Sequence, residues 1–233
     1  MKKFMALLLV AGMTLSLTAC GGSTDTAKTD QADGKDTFTV GFDQDFPPFG
    51  YVGDDGEFTG FDIEMATECA ARMGKKIVLQ PIDWDAKDME LEAGTIDCIW
   101  NGFTMNGRED QYTWTDPYMD NSQVVVVKKD SGINTLADLA GKVVEVQKES
   151  AAETALNDEE HADLMASFAQ LLSVGEYNTA FMDLESGAVD AVAIDIGVAQ
   201  FQIEGKEDQY QILDETISSE QYAVGFFLGN PAL

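Results

Sequence analysis

The sequence predicts an α/β protein, and three observations carry that prediction. A 233-residue chain that is 45% hydrophobic holds enough apolar material for one large or two small α/β domains. The stretch LEAGTIDCIWNGFTMNGRED, Leu91 to Asp110, reads as a helix end, a left-handed cap at Gly94, a buried strand through Ile96, Cys98, Ile99 and Trp100, and then a polar loop. The same order returns at LESGAVDAVAID, Leu184 to Asp195, where a polar group, Asp195, again follows the strand. Either a short pattern recurs by chance, or the chain holds two similar lobes that each deliver ligand groups from a strand tip. Asn101, Gly102, Thr104 and Arg108 stand just past the first such strand, where open α/β sheets bind ligands.

Charge narrows the partners. With 42 acids against 14 bases the formal charge is −28, which argues against nucleic acid and anionic lipid, since both would be repelled. Arginine occurs only at Arg72 and Arg108. A guanidinium in a Gly-containing loop of so acidic a chain reads as a clamp for an anionic group, or else as a surface Arg paired with Glu109 or Asp110. The single histidine, His161, lies in the acidic run DEEHAD, the setting of a solvated segment rather than of a catalytic base. Neither paired cysteines nor histidine partners support a zinc site, and no metal, cofactor or catalytic residue is expected.

Taken in order, residues 1–20 read as a secretory signal: Lys2 and Lys3, an apolar run from Phe4 to Met13, then LSLTAC. LTAC resembles the lipobox of bacterial lipoproteins, which implies cleavage before Cys20 and a lipid on its thiol. Cleavage would remove both lysines and leave the mature chain two charges more acidic. Residues 21–36 are small, polar and charged, the composition of a flexible tether. A leash and a lipid anchor place the folded part outside the cytoplasmic membrane.

A first strand is expected at Thr37–Phe42, stopped by Pro47 and Pro48, so that Asp43 and Phe46 sit at another strand tip. Phe46 and Phe49 are either core or, for one of them, a ring stacked on a ligand. Asp54, Asp55 and Gly56 make a turn rather than a calcium loop, because the EF-hand spacing is missing. Phe61 to Met73 forms an amphipathic helix with Ile63, Ala66, Ala70 and Met73 on one stripe, ended by Gly74. Lys76–Ile82 is the next strand, followed by Trp84, which is core or covers a ligand. Cys69 and Cys98 can form a disulfide if helix and strand pack, or face each other as buried thiols.

Gln123–Lys128 reads as a strand leaving the first lobe, Thr135–Ala140 as a short helix closed by Gly141, and Val143–Gln147 as a strand. The exit of that strand, KESAAE, begins a helix at Ser150, a simple cap or a place where backbone N–H groups meet an anion. A helix at Tyr177–Ser186, a strand at Val189–Ile194 and a late strand at Tyr222–Phe227 complete the pattern.

In this order, GFDQDFPPFGYVGDDGEFTGFDIEMA, TIDCIWNGFTMNGREDQYTWTDPY, LADLAGKVVEVQKESAAE, LESGAVDAVAID and QYAVGF resemble the bacterial extracellular solute-binding proteins of family 3, the polar amino-acid receptors of ABC importers. The resemblance spans most of residues 37–228. It implies a two-lobed periplasmic-binding-protein type II fold, with 37–119 plus 221–233 as lobe I and 123–217 as lobe II. Two hinge strands, near Tyr118–Gln123 and Ile217–Tyr222, would join lobes that close on a ligand.

Carried over residue by residue, the family pattern gives Arg108 the α-carboxylate, with Thr104 and the backbone at Gly102, and gives Asp195 the α-ammonium. Phe46 and Trp84 would flank the side chain, Asp43 would read its polar end, and Gln147, Ser150 and Ala151 would contribute from the second lobe. The implied protein is a monomer that hands a free amino acid, polar or cationic, to an ABC permease and meets the membrane only through its lipid. A cyclohexadienyl dehydratase on the same fold and a ligand-sensing ectodomain are the alternatives.

Two departures stand out. Arg108 is one residue nearer to Thr104 than the family motif places it, so either the loop is shorter or the side chain reaches differently. The chain also ends at Leu233, before the helices with which family members return to the first lobe.

Overall fold

The computed structural model describes residues 36–230. The expected secretory signal, Cys20, the expected tether up to Lys35 and residues 231–233 lie outside the described residues. Among those described, no helix is long and apolar enough to cross a membrane.

The chain enters on β1 (Thr37–Phe42), buried from Phe38 onward as befits a strand covered on both faces. Three short antiparallel strands follow, β2 (Asp45–Phe46), β3 (Gly50–Val52) and β4 (Phe58–Thr59). Helix α1 (Phe61–Arg72) buries Ile63, Ala66 and Ala70. Met73, expected on the same stripe, is instead the C-cap and 46% exposed, because the helix has ended before its side chain can turn inward. Strand β5 (Lys76–Pro81) lies parallel to β1. Helix α2 (Lys87–Ala93) ends at Gly94, and the apolar run behind it contributes only two residues to the ladder, β6 (Cys98–Ile99). After β7 (Tyr112–Trp114), the ten-residue β8 (Met119–Lys128) carries the chain out of this first sheet.

The second sheet begins with β9 (Val143–Gln147), preceded by a 3-10 turn at Leu136–Leu139 where a short helix was expected. Its helices are α3 (Ala151–Asn157), α4 (Ala162–Ser167), α5 (Tyr177–Ser186) and α6 (Ile196–Ile203). Its remaining strands are β10 (Gln170–Val174), β11 (Ala191–Asp195) and β12 (Tyr210–Ile212). The late strand divides in two: β13 (Ser218–Tyr222) pairs with β8, and β14 (Gly225–Phe227) pairs with β6 and β7. The division has a simple cause, since the chain returns there from the second sheet to the first.

The first sheet therefore runs β5-β1-β6-β14-β7 and the second β10-β9-β11-β8-β12, with β13 against the first half of β8. Each sheet is covered on both faces. Phe38, Val40 and Cys98 pack with Ala66 and Ala70 of α1, while Ile96 and Ile99 pack with Leu91 of α2. In β8, Val124 and Val126 face one core and Val125 and Val127 the other, the period-two alternation of a central strand. Two lobes result, joined by the antiparallel pair β8 and β13, in register from Met119–Tyr222 to Gln123–Ser218. Cys69 and Cys98 are free thiols on one core face.

Candidate functional site

The two copies of the repeat fold alike, bond for bond. Gly94 and Gly187 both cap their helices in the left-handed conformation, with φ of 69° and 81°. Asp97 donates its N–H to Thr39 O at 2.8 Å and accepts Thr39 N–H on Oδ2 at 2.7 Å. Asp190 does the same with Val143, at 2.9 Å for each bond. Each aspartate thus clips the start of a neighbouring strand, and the strand behind it is delivered to the cleft. At one tip stand Asn101 and Gly102; at the other stands Asp195.

These tips converge. One cavity is lined by Phe46, Trp84, Asn101, Gly102, Thr104 and Arg108 from the first lobe and by Gln147, Ser150, Ala151 and Asp195 from the second. It is narrow, about 10 Å³, little more than the room one water centre needs. Asp43 is not among its walls. It stands behind Gln147, whose Nε2 donates to Asp43 Oδ2 at 2.6 Å across the lobes, and it lines an adjoining groove with Trp84, Asp45, Asp83, Asp85 and Glu176. Burial pushes the Asp43 carboxyl up to about 6, against the lowering effect of its hydrogen bonds from Asp45 N–H and Gln147.

Arg108 is 9% exposed. A tight turn brings it there, with Arg108 N–H on Met105 O at 3.0 Å, so the loop is short and the residue still reaches the cavity. Its Nη1 donates to Thr104 O at 3.1 Å, its Nη2 to Glu149 O at 3.3 Å, and the guanidinium lies 5.4 Å from the Phe103 ring centre. Among the described residues no carboxylate stands within ion-pair distance of it. A buried guanidinium held only by carbonyls can accept a planar anion through two parallel N–H bonds.

Asp195, 4% exposed, presents the opposite charge. Its Oδ1 accepts from Asn121 Nδ2 and Gln123 Nε2 at 2.7 Å and from Tyr222 OH at 2.6 Å. The same two amides also donate, at 2.7 Å, to Glu220 Oε1, which takes the Thr104 hydroxyl as well. Burial first and the Glu220 charge second raise the Asp195 carboxyl to about 7. A cation beside it would be well matched.

Phe46 is both core and cavity wall, with its ring 5.8 Å from Phe49 and 6.1 Å from Tyr177. Trp84 packs edge-on against Phe103 at 5.4 Å and also faces the cavity. Ser150 caps α3, its hydroxyl accepting Glu153 N–H at 3.1 Å. Sequence reasoning passed over Glu220, Asn121, Gln123 and Asp62. For Glu220 a signal existed: Ser218, Glu220 and Tyr222 share one face of a strand by the period of two. Asp62 of α1 left none, since an acid in a first helical turn reads as solvated.

The family model of bacterial extracellular solute-binding proteins, family 3, matches residues 38–179. The chain belongs to this family. Within it, the chain is 30% identical to the L-cystine-binding protein TcyJ of Escherichia coli (strain K12), over 98% of this chain and 83% of that protein. It is 36% identical to the arginine-binding extracellular protein ArtP of Bacillus subtilis (strain 168), over 63% of this chain and 56% of the relative. Among solved structures, an ABC uptake transporter substrate-binding protein from Streptococcus pneumoniae with bound histidine aligns at a TM-score of 0.78 and 34% identity. That alignment covers 83% of this chain and 80% of the other.

Proposed function

We propose that this family member is an extracytoplasmic receptor that captures a free amino acid with a polar or cationic side chain between its lobes and delivers it to the permease of an ABC importer. Residues 37–119 plus 221–233 form the first lobe in this reading, 123–217 the second, and a lipid on Cys20 is its only hold on the membrane. The observation that carries it is Arg108, buried in the cavity with no carboxylate for a partner among the described residues while Asp195 of the other lobe faces the same space. A zwitterion supplies both missing charges, its carboxylate to Arg108 with Thr104 and Gly102, its ammonium to Asp195. Neither lobe alone satisfies both, so closure is favoured when ligand is present. The small cavity means that entry requires the lobes to part.

Beyond the head group, Phe46 and Trp84 flank the ligand side chain, with Gln147, Ser150 and Ala151 closing from the second lobe. Asp43 and the acidic groove beside it favour a positive or polar tip, which suits the arginine, histidine and cystine named for relatives. An affinity near micromolar, about 8 kcal/mol, is ordinary for such a site. A thermal-shift screen of the twenty amino acids plus cystine identifies the ligand. Arg108→Ala is expected to abolish its binding in calorimetry, and retained affinity would refute the assignment. Incubation with prephenate or arogenate is expected to yield no aromatic product, whereas product would favour a dehydratase.

A further inference from the structure

Among the described residues Glu149 is the only one other than glycine with a positive φ, 58°. A residue with a Cβ persists there only when its surroundings hold it, and such residues gather at ligand clamps. Two of the bonds that hold Glu149 cross between the lobes. Its Oε2 accepts from Lys87 Nζ at 2.8 Å, and its carbonyl accepts from Arg108 Nη2 at 3.3 Å. Within its own lobe, Glu149 N–H donates to Glu153 Oε2 at 2.6 Å, which pins the turn beside the Ser150 cap.

The partner makes the contact consequential. Lys87 is 3% exposed, its ammonium 5.4 Å from the ring centre of Trp84, which lines the cavity. A buried ammonium is stable only while paired, and Glu149 is the carboxylate bonded to it. Beside them Lys148 Nζ meets Asp85 Oδ2 at 2.6 Å, a second and more exposed bridge from the same turn to the first lobe. Parting the lobes must break the Lys87 pair and take the Glu149 carbonyl off Arg108.

We infer that Glu149 is a positioning residue for amino-acid capture: its carbonyl orients the Arg108 guanidinium and its carboxylate clasps Lys87, so that it sets how long the closed lobes keep their ligand. The inference rests on the amino-acid reading of the cavity. Association precedes closure and does not involve the clasp; dissociation does.

The test is stopped-flow kinetics on the full chain with L-arginine, and with L-histidine and L-cystine tried in the same way, over a range of sodium chloride. Glu149→Gln and Glu149→Gly are expected to raise the dissociation rate about ten-fold while the association rate stays within about two-fold. The wild-type dissociation rate rises with salt more steeply than that of Glu149→Gln, which keeps only the Lys148–Asp85 bridge between the lobes. Glycine accepts the left-handed backbone freely, so Glu149→Gly should unfold at a temperature no lower than Glu149→Gln, both having left Lys87 without its carboxylate, even as both release ligand faster. A residue needed only for the shape of the turn would keep the wild-type dissociation rate when replaced by glycine. Lys87→Gln combined with Glu149→Gln should be no faster than Lys87→Gln alone. Unchanged dissociation in both Glu149 variants, with binding intact, overturns the clasp and leaves the receptor reading standing. If the wild type binds none of the standard amino acids or cystine, the receptor reading falls and the clasp with it.

Discussion

A single buried carboxylate arranges the loop that lines the cavity between the lobes. Asp62 is fully buried, and its Oδ2 takes Gly102 N–H at 2.5 Å and Tyr118 OH at 2.9 Å. Gly102 can occupy that place because its φ is 56° and because a Cβ there would stand 3.0 Å from the Phe46 ring and 3.1 Å from Tyr222. The close approach of backbone to cavity is thus a property of glycine held by an acid forty residues earlier. Asp62→Ala strands two buried donors and should cost about 2–4 kcal/mol in urea unfolding. A loss within about 0.5 kcal/mol, the range of ordinary surface changes, would mean that something else secures the loop.

At the scale of elements, the helix-glycine-aspartate-strand unit is used twice to hold a strand tip at the cleft. Because Asp97 and Asp190 make equivalent bonds in separate sheets, Asp97→Ala and Asp190→Ala should each destabilise by about 1–2 kcal/mol, and the double variant by their sum. Chemical denaturation measures both. A large departure from additivity would indicate that the two units are not independent supports. The hinge pair follows another logic, for Asn121 and Gln123 of β8 donate to Glu220 of β13 and, together with Tyr222 of β13, donate to Asp195. A site charge is therefore anchored on the element that joins the two lobes.

For the whole molecule the same burial has a thermodynamic sign. Asp43 is raised to about 6, and Asp62 and Asp195 to about 7, in each case first by burial. Unfolded aspartate titrates near 3.9. Between about pH 4 and 7 the folded chain keeps protons that the unfolded chain has released, so stability falls as pH rises through that window and levels off above it. Self-repulsion at a formal charge of −28 acts in the same direction. The ligand-free protein should accordingly unfold at a higher urea concentration at pH 5 than at pH 8, and Asp195→Asn should flatten the slope. An ammonium bound beside Asp195 favours its ionised form, so amino-acid affinity should increase from pH 5 to 8 and binding should release protons in calorimetry. A stability that rises steadily with pH would contradict the buried-acid account.

Periodicity, glycine caps and the repeated unit were enough to determine that this is an α/β chain with strand tips at Asn101–Gly102 and at Asp195, because these are local signals read within one turn or one strand. Composition likewise determined a very acidic chain with a conspicuous Arg108. Tertiary structure alone decided which groups meet: that Asp43 sits one residue behind the cavity, that Glu220 shares its amide donors with Asp195, that Asp62 turns inward, and that Glu149 reaches Lys87 across the lobes. Those pairings join residues 40 to 104 positions apart, and no local pattern encodes a partner at such a distance; it is fixed only when two sheets are packed and the hinge strands set their separation.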